Sequence, residues 1–128
     1  MNDQQRSNSL SGARVLVVED EYYLADDLSR TLTKAGAEVV GPVATVVDAE
    51  AKVSEGGFDC AIIDMNLRGD FSFAIAERLG ETGVPFIVAT GYNRTSLPDS
   101  LKHVPRVEKP FSPNEVVRLL SDIRERIT

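Results

Sequence analysis

The sequence has few of the residues that cross-link a chain, anchor it in a membrane or make it basic. Its single cysteine excludes an intramolecular disulfide and agrees with a reducing compartment. It has no apolar run of 18 residues and no basic leader before an apolar segment, so we expect neither a membrane span nor a signal peptide. Its 14 basic residues face 20 acidic ones, which disfavours nucleic-acid binding. We therefore expect a cytoplasmic protein whose partners are neither nucleic acid nor membrane.

The remaining composition is that of one ordinary globular domain. Hydrophobic residues make up 42% of the 128 residues and charged residues 27%. Residues 1–12 are polar and aperiodic, so we predict a flexible leader followed by one domain over residues 13–128. In that domain, short apolar runs predict strands at 15–18, 37–40, 58–63 and 85–90, and residues 106–108 are interpreted as a brief fifth strand. Amphipathic stretches alternate with these runs, which predicts an α/β fold with a parallel sheet.

Capping residues and apolar spacing locate most of the helices. Thr45 and Ser112 are typical N-cap residues, each placed just before an amphipathic stretch, and Glu115 follows Ser112 at the spacing of a capping box. We predict a loop at residues 66–70 and a helix whose apolar face begins at Phe71. Residues 91–105 contain two prolines and show little apolar periodicity. This segment therefore predicts a fourth helix that is short or mobile.

Polar side chains follow four of the predicted strands. Glu19 and Asp20 come after the first strand and Asp64 after the third, while Thr90 ends the fourth and Lys109 follows the fifth. Ligands of such sheets bind at the carboxyl ends of the strands. We therefore expect these five side chains to converge at one edge of the sheet.

Three converging carboxylates call for a cation. Two like charges 4 Å apart repel by about 4 kcal/mol at an effective dielectric near 20, and one lysine does not offset three such pairs. Oxygen ligands favour Mg²⁺ over Zn²⁺, which prefers histidine or cysteine. A carboxylate beside Mg²⁺, a lysine and a hydroxyl suits phosphoryl transfer. Asp64 would then be the nucleophile, and Lys109 would neutralise charge on the transferred group.

These motifs resemble the receiver domain of two-component response regulators, over residues 14–127. The matching residues are Glu19-Asp20, Asp64 after an apolar strand, Thr90-Gly91 and Lys109-Pro110. The stretch from Pro85 to Tyr92 is also similar to the PFxFATGY signature of a single-domain receiver subgroup, with Val88 in place of the second phenylalanine. The resemblance implies a flavodoxin-like, five-stranded parallel sheet in the order 2-1-3-4-5 with helices on both faces.

The resemblance also implies a role for each site residue. Asp64 would accept a phosphoryl group from the phosphohistidine of a sensor histidine kinase or phosphotransfer protein. Asp20, Asp64 and the backbone carbonyl of Asn66 would bind Mg²⁺, with Glu19 acting mostly through water. Thr90 would donate a hydrogen bond to the phosphoryl oxygen, and Lys109 would form an ion pair with it.

A protein of this kind is a signalling module, not an enzyme, and catalyses only its own phosphorylation and dephosphorylation. It would signal through contacts with another protein or act as a phosphate sink. The sequence does not identify that downstream protein.

One departure from the family concerns the switch residues. Typical receivers carry an aromatic residue three positions before the lysine, where this chain has Arg106. Tyr92, next to Thr90 and Gly91, either replaces that ring as the switch or simply packs in its loop. His103 in a predicted loop is interpreted as solvated, and Cys60 within a strand as inert core.

Two other functions use similar residues. A phosphohydrolase of the haloacid-dehalogenase type would need an aspartate as general acid where this chain has Asn66. A flavodoxin-like cofactor carrier would need a phosphate-binding loop after the first strand, where Glu19-Asp20-Glu21 would repel a phosphate. An interaction module that has lost phosphorylation is a third possibility, although all the core residues are present.

Overall fold

A parallel five-stranded sheet forms the centre of the protein. The computed structural model describes residues 9–91 and 97–127. The sheet strands are β1 Arg14–Val18, β2 Glu38–Val43, β3 Cys60–Asp64, β6 Phe86–Thr90 and β7 Arg106–Glu108, and a hairpin adds β4 Asn66–Leu67 and β5 Asp70–Phe71. The α-helices are α1 Tyr22–Lys34, α2 Val46–Glu55, α3 Phe73–Thr82 and α4 Pro113–Ile127. The sheet order β2-β1-β3-β6-β7 confirms the predicted order of the five long strands.

The three central strands are almost entirely buried because helices cover both faces of the sheet. Val15 and Val17 of β1 pack in one core cluster with Leu28 of α1 and Leu120 of α4. Leu16 and Val18 point to the other face, where the second core cluster includes residues of α2 and α3. None of the described helices is both long and apolar enough to cross a membrane.

The strand register determines where the third strand delivers its last residue. Val18 of β1 pairs with Ile63 of β3, so Asp64 lies one position beyond the end of β1. On the other side, Asp64 pairs with Ala89 of β6, and the next residue of β6 is Thr90. The carboxyl ends of β1, β3 and β6 therefore lie side by side.

The second strand is longer than predicted. We expected Gly41-Pro42 to end it, but β2 continues to Val43, whose carbonyl accepts a hydrogen bond from the Glu19 amide. The register against β1 shifts between Leu16 and Val18, which is typical of a bulge. Because β2 is an edge strand, a proline there removes no necessary sheet hydrogen bond.

The predicted loop at residues 66–70 is instead part of the β4–β5 hairpin. Arg68 and Gly69 both have a positive φ (55° and 92°), the conformation of a two-residue hairpin turn. Arg-Gly is not one of the usual turn pairs, so the sequence pattern did not indicate it. Phe71 consequently lies in β5 and is half exposed, and α3 begins two residues later, at Phe73.

The predicted leader is also too long. Leu10 is fully buried, and its amide donates a hydrogen bond to the Ala35 carbonyl after α1. Residues 9–12 therefore belong to the domain, while residues 1–8 lie outside the described residues. A single apolar residue in a polar stretch has no periodicity, and the sequence analysis missed Leu10 for that reason.

The capping predictions hold, with one difference in detail. The Thr45 hydroxyl accepts a hydrogen bond from the Asp48 amide, as expected of an N-cap. The Ser112 hydroxyl accepts from the amide of Asn114, one residue earlier than a capping box requires. In the described part of residues 91–105, the only helical element is a 3₁₀ turn at Asp99–Leu101. Within those residues, this 3₁₀ turn stands where a short helix was predicted between β6 and β7, and it is as short as predicted.

Candidate functional site

The strand ends bring the predicted acidic residues together. One carboxylate oxygen from each of Glu19, Asp20 and Asp64 lies within 4.8 Å of the others. Glu19 and Asp64 are each only 3% exposed, and Asp20 is half-buried. The site therefore concentrates negative charge where water cannot fully screen it.

Lys109 lies among these carboxylates. Its Nζ donates hydrogen bonds to Asp64 Oδ2 at 2.8 Å and to Glu19 Oε2 at 3.0 Å. Glu21 Oε1 is 3.4 Å from the same nitrogen. No role in the site was predicted for Glu21. It is the exposed N-cap residue of α1, and its side chain reaches Lys109.

Backbone amides of the β4–β5 hairpin orient two of the carboxylates. The Asn66 amide donates to Asp64 Oδ1, and the Arg68 amide donates to Asp20 Oδ2, both at 3.0 Å. The Asn66 side-chain oxygen accepts from the Gly69 amide at 2.7 Å, which stabilises the turn. Sequence reasoning missed Arg68 because its contact is made by the backbone and depends on the fold of the hairpin.

Burial makes this site unfavourable for its own negative charges. Desolvation, followed by the neighbouring Asp64 charge, raises the pKa of Glu19 to about 8, against the opposing effects of the Glu21 amide and Lys109. Desolvation also raises the pKa of Asp64, although hydrogen bonds from Lys109 and Asn66 oppose the shift. Burial by itself would lower the pKa of Lys109, but Asp64 and Glu19 outweigh it and raise that pKa above its usual range. One lysine does not neutralise the site.

The residues present fit a bound Mg²⁺. The candidate ligand group contains only carboxylates, which are hard oxygen donors. A divalent cation would supply positive charge that favours the ionised forms of Glu19 and Asp64, whose pKa values burial raises. The three carboxylates lie close enough together to hold such an ion.

The remaining residues singled out in the sequence include the hydroxyl and switch residues and the lone histidine. Thr90 ends β6 beside Asp64 and is buried, with Oγ1 a long 3.5 Å from the Val107 carbonyl. Tyr92, the other half of the predicted switch, lies outside the described residues. Arg106 is exposed on β7. Because this residue is an arginine, the position three residues before Lys109 carries no aromatic ring. His103 is exposed, as expected.

Cys60 is fully buried in β3. Desolvation raises the pKa of its thiol to about 11, which keeps the thiol protonated near neutral pH. This protonation agrees with the interpretation of Cys60 as inert core.

Substitution of Asp64 by asparagine is expected to stabilise the metal-free protein by about 1 kcal/mol. A carboxyl whose pKa is higher in the folded than in the unfolded state destabilises the fold above its unfolded pKa, and Asp64 is such a group. Urea unfolding at pH 7 with a chelator would measure the change. Asp59→Asn, at the exposed opposite end of β3, is the control and should not stabilise the protein. A destabilised Asp64→Asn variant would contradict the electrostatic argument.

Sequence comparison identifies relatives of this chain. The family described as response regulator receiver domain matches residues 15–121. The swarming motility regulation protein RssB of Serratia marcescens is 34% identical over 118 residues, which cover 88% of this chain and 53% of that protein. The transcriptional regulatory protein TcrA of Mycobacterium tuberculosis is 40% identical over 70 residues, or 55% of this chain and 27% of that protein. The chain thus spans about half or less of the length of these curated relatives.

Solved structures agree with the sequence comparison. SdrG from Sphingomonas melonis Fr1 is 37% identical with a TM-score of 0.76, covering 90% of this chain and 98% of that one. The response regulator PhyR from Brucella abortus is 25% identical with a TM-score of 0.77, covering 97% of this chain and 53% of that one. The fold, the acidic strand ends and these relatives agree: the chain belongs to the response regulator receiver domain family.

Proposed function

We propose that this chain accepts a phosphoryl group on Asp64 in a Mg²⁺-dependent reaction. The donor would be the phosphohistidine of a sensor histidine kinase or phosphotransfer protein. The observation that carries the proposal is the position of Asp64: buried at a strand end, 2.8 Å from the Lys109 ammonium and beside the Glu19 and Asp20 carboxylates. Membership of the receiver family supports the same reaction.

In the proposed reaction, a carboxylate oxygen of Asp64 attacks the phosphorus atom of the donor. The bond between phosphorus and the histidine nitrogen breaks, its electron pair stays on the imidazole, and an aspartyl phosphate forms. Lys109 would give up one of its hydrogen bonds to Glu19 or Asp64 and donate a hydrogen bond to a phosphoryl oxygen instead. Thr90 is poised to donate to that group because its present bond, to the Val107 carbonyl, is long and weak.

Mg²⁺ would be held by Asp20, Asp64 and the Asn66 carbonyl, with Glu19 acting mostly through water. The bound ion would neutralise charge on the transferred group. Catalysis would extend only to the chain's own phosphorylation and dephosphorylation.

Beryllofluoride tests this proposal because it mimics a phosphoryl group attached to a carboxylate. Adding beryllofluoride together with Mg²⁺ is expected to shift the amide resonances of Asp64, Thr90 and Lys109, whereas beryllofluoride without Mg²⁺ should not. The Asp64→Asn variant is the matched control and should not respond. No shift at Asp64 in the wild type would contradict Asp64 as the acceptor.

We also propose that the chain is a cytoplasmic, stand-alone receiver of the PFxFATGY type. It would signal through contacts with another protein or act as a phosphate sink. The stretch from Pro85 to Gly91 and the match to SdrG over 98% of that chain support this proposal. Thr90 and Tyr92 would form the switch, because Arg106 offers no aromatic ring. The phosphate sink is indicated if a labelled phosphoryl group passes from the donor to this chain and is then released as inorganic phosphate with no other protein present.

The phosphohydrolase alternative is less well supported. Its general acid would have to be Asn66, which has no acidic proton and whose side-chain oxygen already accepts a bond from Gly69. A phosphatase assay on a generic phosphate ester separates the two functions, since a receiver should give no sustained turnover.

A further inference from the structure

Ser72 is placed as a helix cap but does not act as one. It is the N-cap residue of α3, where a serine hydroxyl normally accepts a hydrogen bond from a first-turn amide. In the structure, which describes all of α3, the side chain of Ser72 makes no such bond. The hydroxyl of this buried residue instead donates to the backbone carbonyl of Asp64.

This hydrogen bond holds one side of the peptide unit that follows Asp64. The other side is held by the Met65 amide, which donates to the Ala89 carbonyl of β6 at 3.0 Å. A peptide unit is planar, so contacts on both its carbonyl and its amide fix its orientation. The orientation of this unit in turn sets the direction in which the Asp64 side chain leaves the strand.

The same bond closes the loop that orients the second carboxylate. Residues 65–72 leave β3, form the hairpin and return to Ser72, whose amide donates to the Met65 carbonyl at 3.1 Å. Within this loop, the Asn66 amide binds Asp64 Oδ1 and the Arg68 amide binds Asp20 Oδ2. The end of the loop at Ser72 thus supports the amides that hold both carboxylates.

We propose that Ser72 is a positioning residue for the metal and phosphoacceptor site. Its hydroxyl, by anchoring loop 65–72 to the Asp64 carbonyl, keeps the Asp64 and Asp20 carboxylates at the separation that a divalent cation requires. This inference rests on the proposed function, because it concerns the same two carboxylates. A positioning role differs from a purely structural one. In a structural role, loss of the Ser72 hydroxyl would lower stability without changing the affinity for the cation.

The test compares Mg²⁺ affinity in matched serine variants. Ser72→Ala is expected to raise the Mg²⁺ dissociation constant on the order of 10-fold, the usual effect of losing a group that orients a metal ligand. Ser29→Ala is the control and should leave the Mg²⁺ dissociation constant unchanged. The Ser29 hydroxyl also donates to a backbone carbonyl, that of Ala25, but this bond lies within α1. Ser72→Thr keeps a hydroxyl at the position and should bind Mg²⁺ nearly as the wild type does.

A second measurement needs neither metal nor phosphate. In metal-free buffer, Ser72→Ala should speed hydrogen exchange at the Asn66 and Arg68 amides relative to the amides of β1. A variant with unchanged Mg²⁺ affinity, or with unchanged exchange at both amides, would overturn the positioning role. If the wild type bound no Mg²⁺ and accepted no phosphoryl group, the proposed function would fail, and the exchange rates alone would decide whether Ser72 positions the loop.

Discussion

Replacing Asp64 with asparagine is expected to abolish phosphoryl acceptance. A neutral amide is a far weaker nucleophile than a carboxylate, and loss of a nucleophile lowers rates by on the order of 10³-fold or more. The asparagine has nearly the same shape, and its oxygen can still accept from the Asn66 amide or from Lys109. The fold should therefore persist. Acid-labile labelling by a phosphorylated kinase measures acceptance, and circular dichroism checks the fold.

Asp59→Asn is the matched control for this experiment. Asp59 precedes β3, and its carboxylate accepts a hydrogen bond from the Arg14 amide at the opposite end of the strand from Asp64. This variant makes the same chemical change next to the opposite end of β3 and should be labelled as the wild type is. Labelling of Asp64→Asn at the wild-type level would show that another residue accepts the phosphoryl group.

Removing the Asp20 carboxylate is expected to eliminate both Mg²⁺ binding and phosphorylation. Asp20→Ala deletes one of the few direct protein ligands, and we expect affinity to fall by at least about 100-fold, the upper range for loss of a mere supporting group. Calorimetric titration measures the affinity. Tryptophan fluorescence offers no readout, because the chain has no tryptophan.

Asp20 has a second role that the experiment must separate. Its Oδ2 accepts from the Arg68 amide, so alanine also frees the hairpin turn. Asp20→Asn keeps an oxygen that can accept from that amide and removes only the charge, so it should lose Mg²⁺ while keeping the hairpin. The exposed Asp27→Asn is the control. Equal stabilisation of Asp20→Ala and the wild type by Mg²⁺ would place the cation elsewhere.

The order of the strands and the convergence of the site could be predicted from sequence because both follow from short-range patterns. Apolar runs of four to six residues mark buried parallel strands, and parallel strands align their carboxyl ends. Glu19 and Asp64 each come directly after such a run, and Lys109 follows the short strand β7. Two things were therefore enough to predict that these side chains converge: the assignment of the strands and the topology that the receiver resemblance implied.

Contacts made by backbone atoms and isolated residues were decided only by the tertiary structure. Leu10 is fully buried in the core cluster that also contains Leu28 of α1 and Leu120 of α4, and no local periodicity indicates that burial. The Arg68 amide reaches Asp20 because the hairpin turn places Arg68 at a positive φ, which arginine does not favour. No role was predicted for Ser72, and only the closed loop directs its hydroxyl to the backbone carbonyl of Asp64. Residue types and their spacing thus determined which groups meet at the sheet edge, while long-range packing and backbone conformation decided how those groups are held.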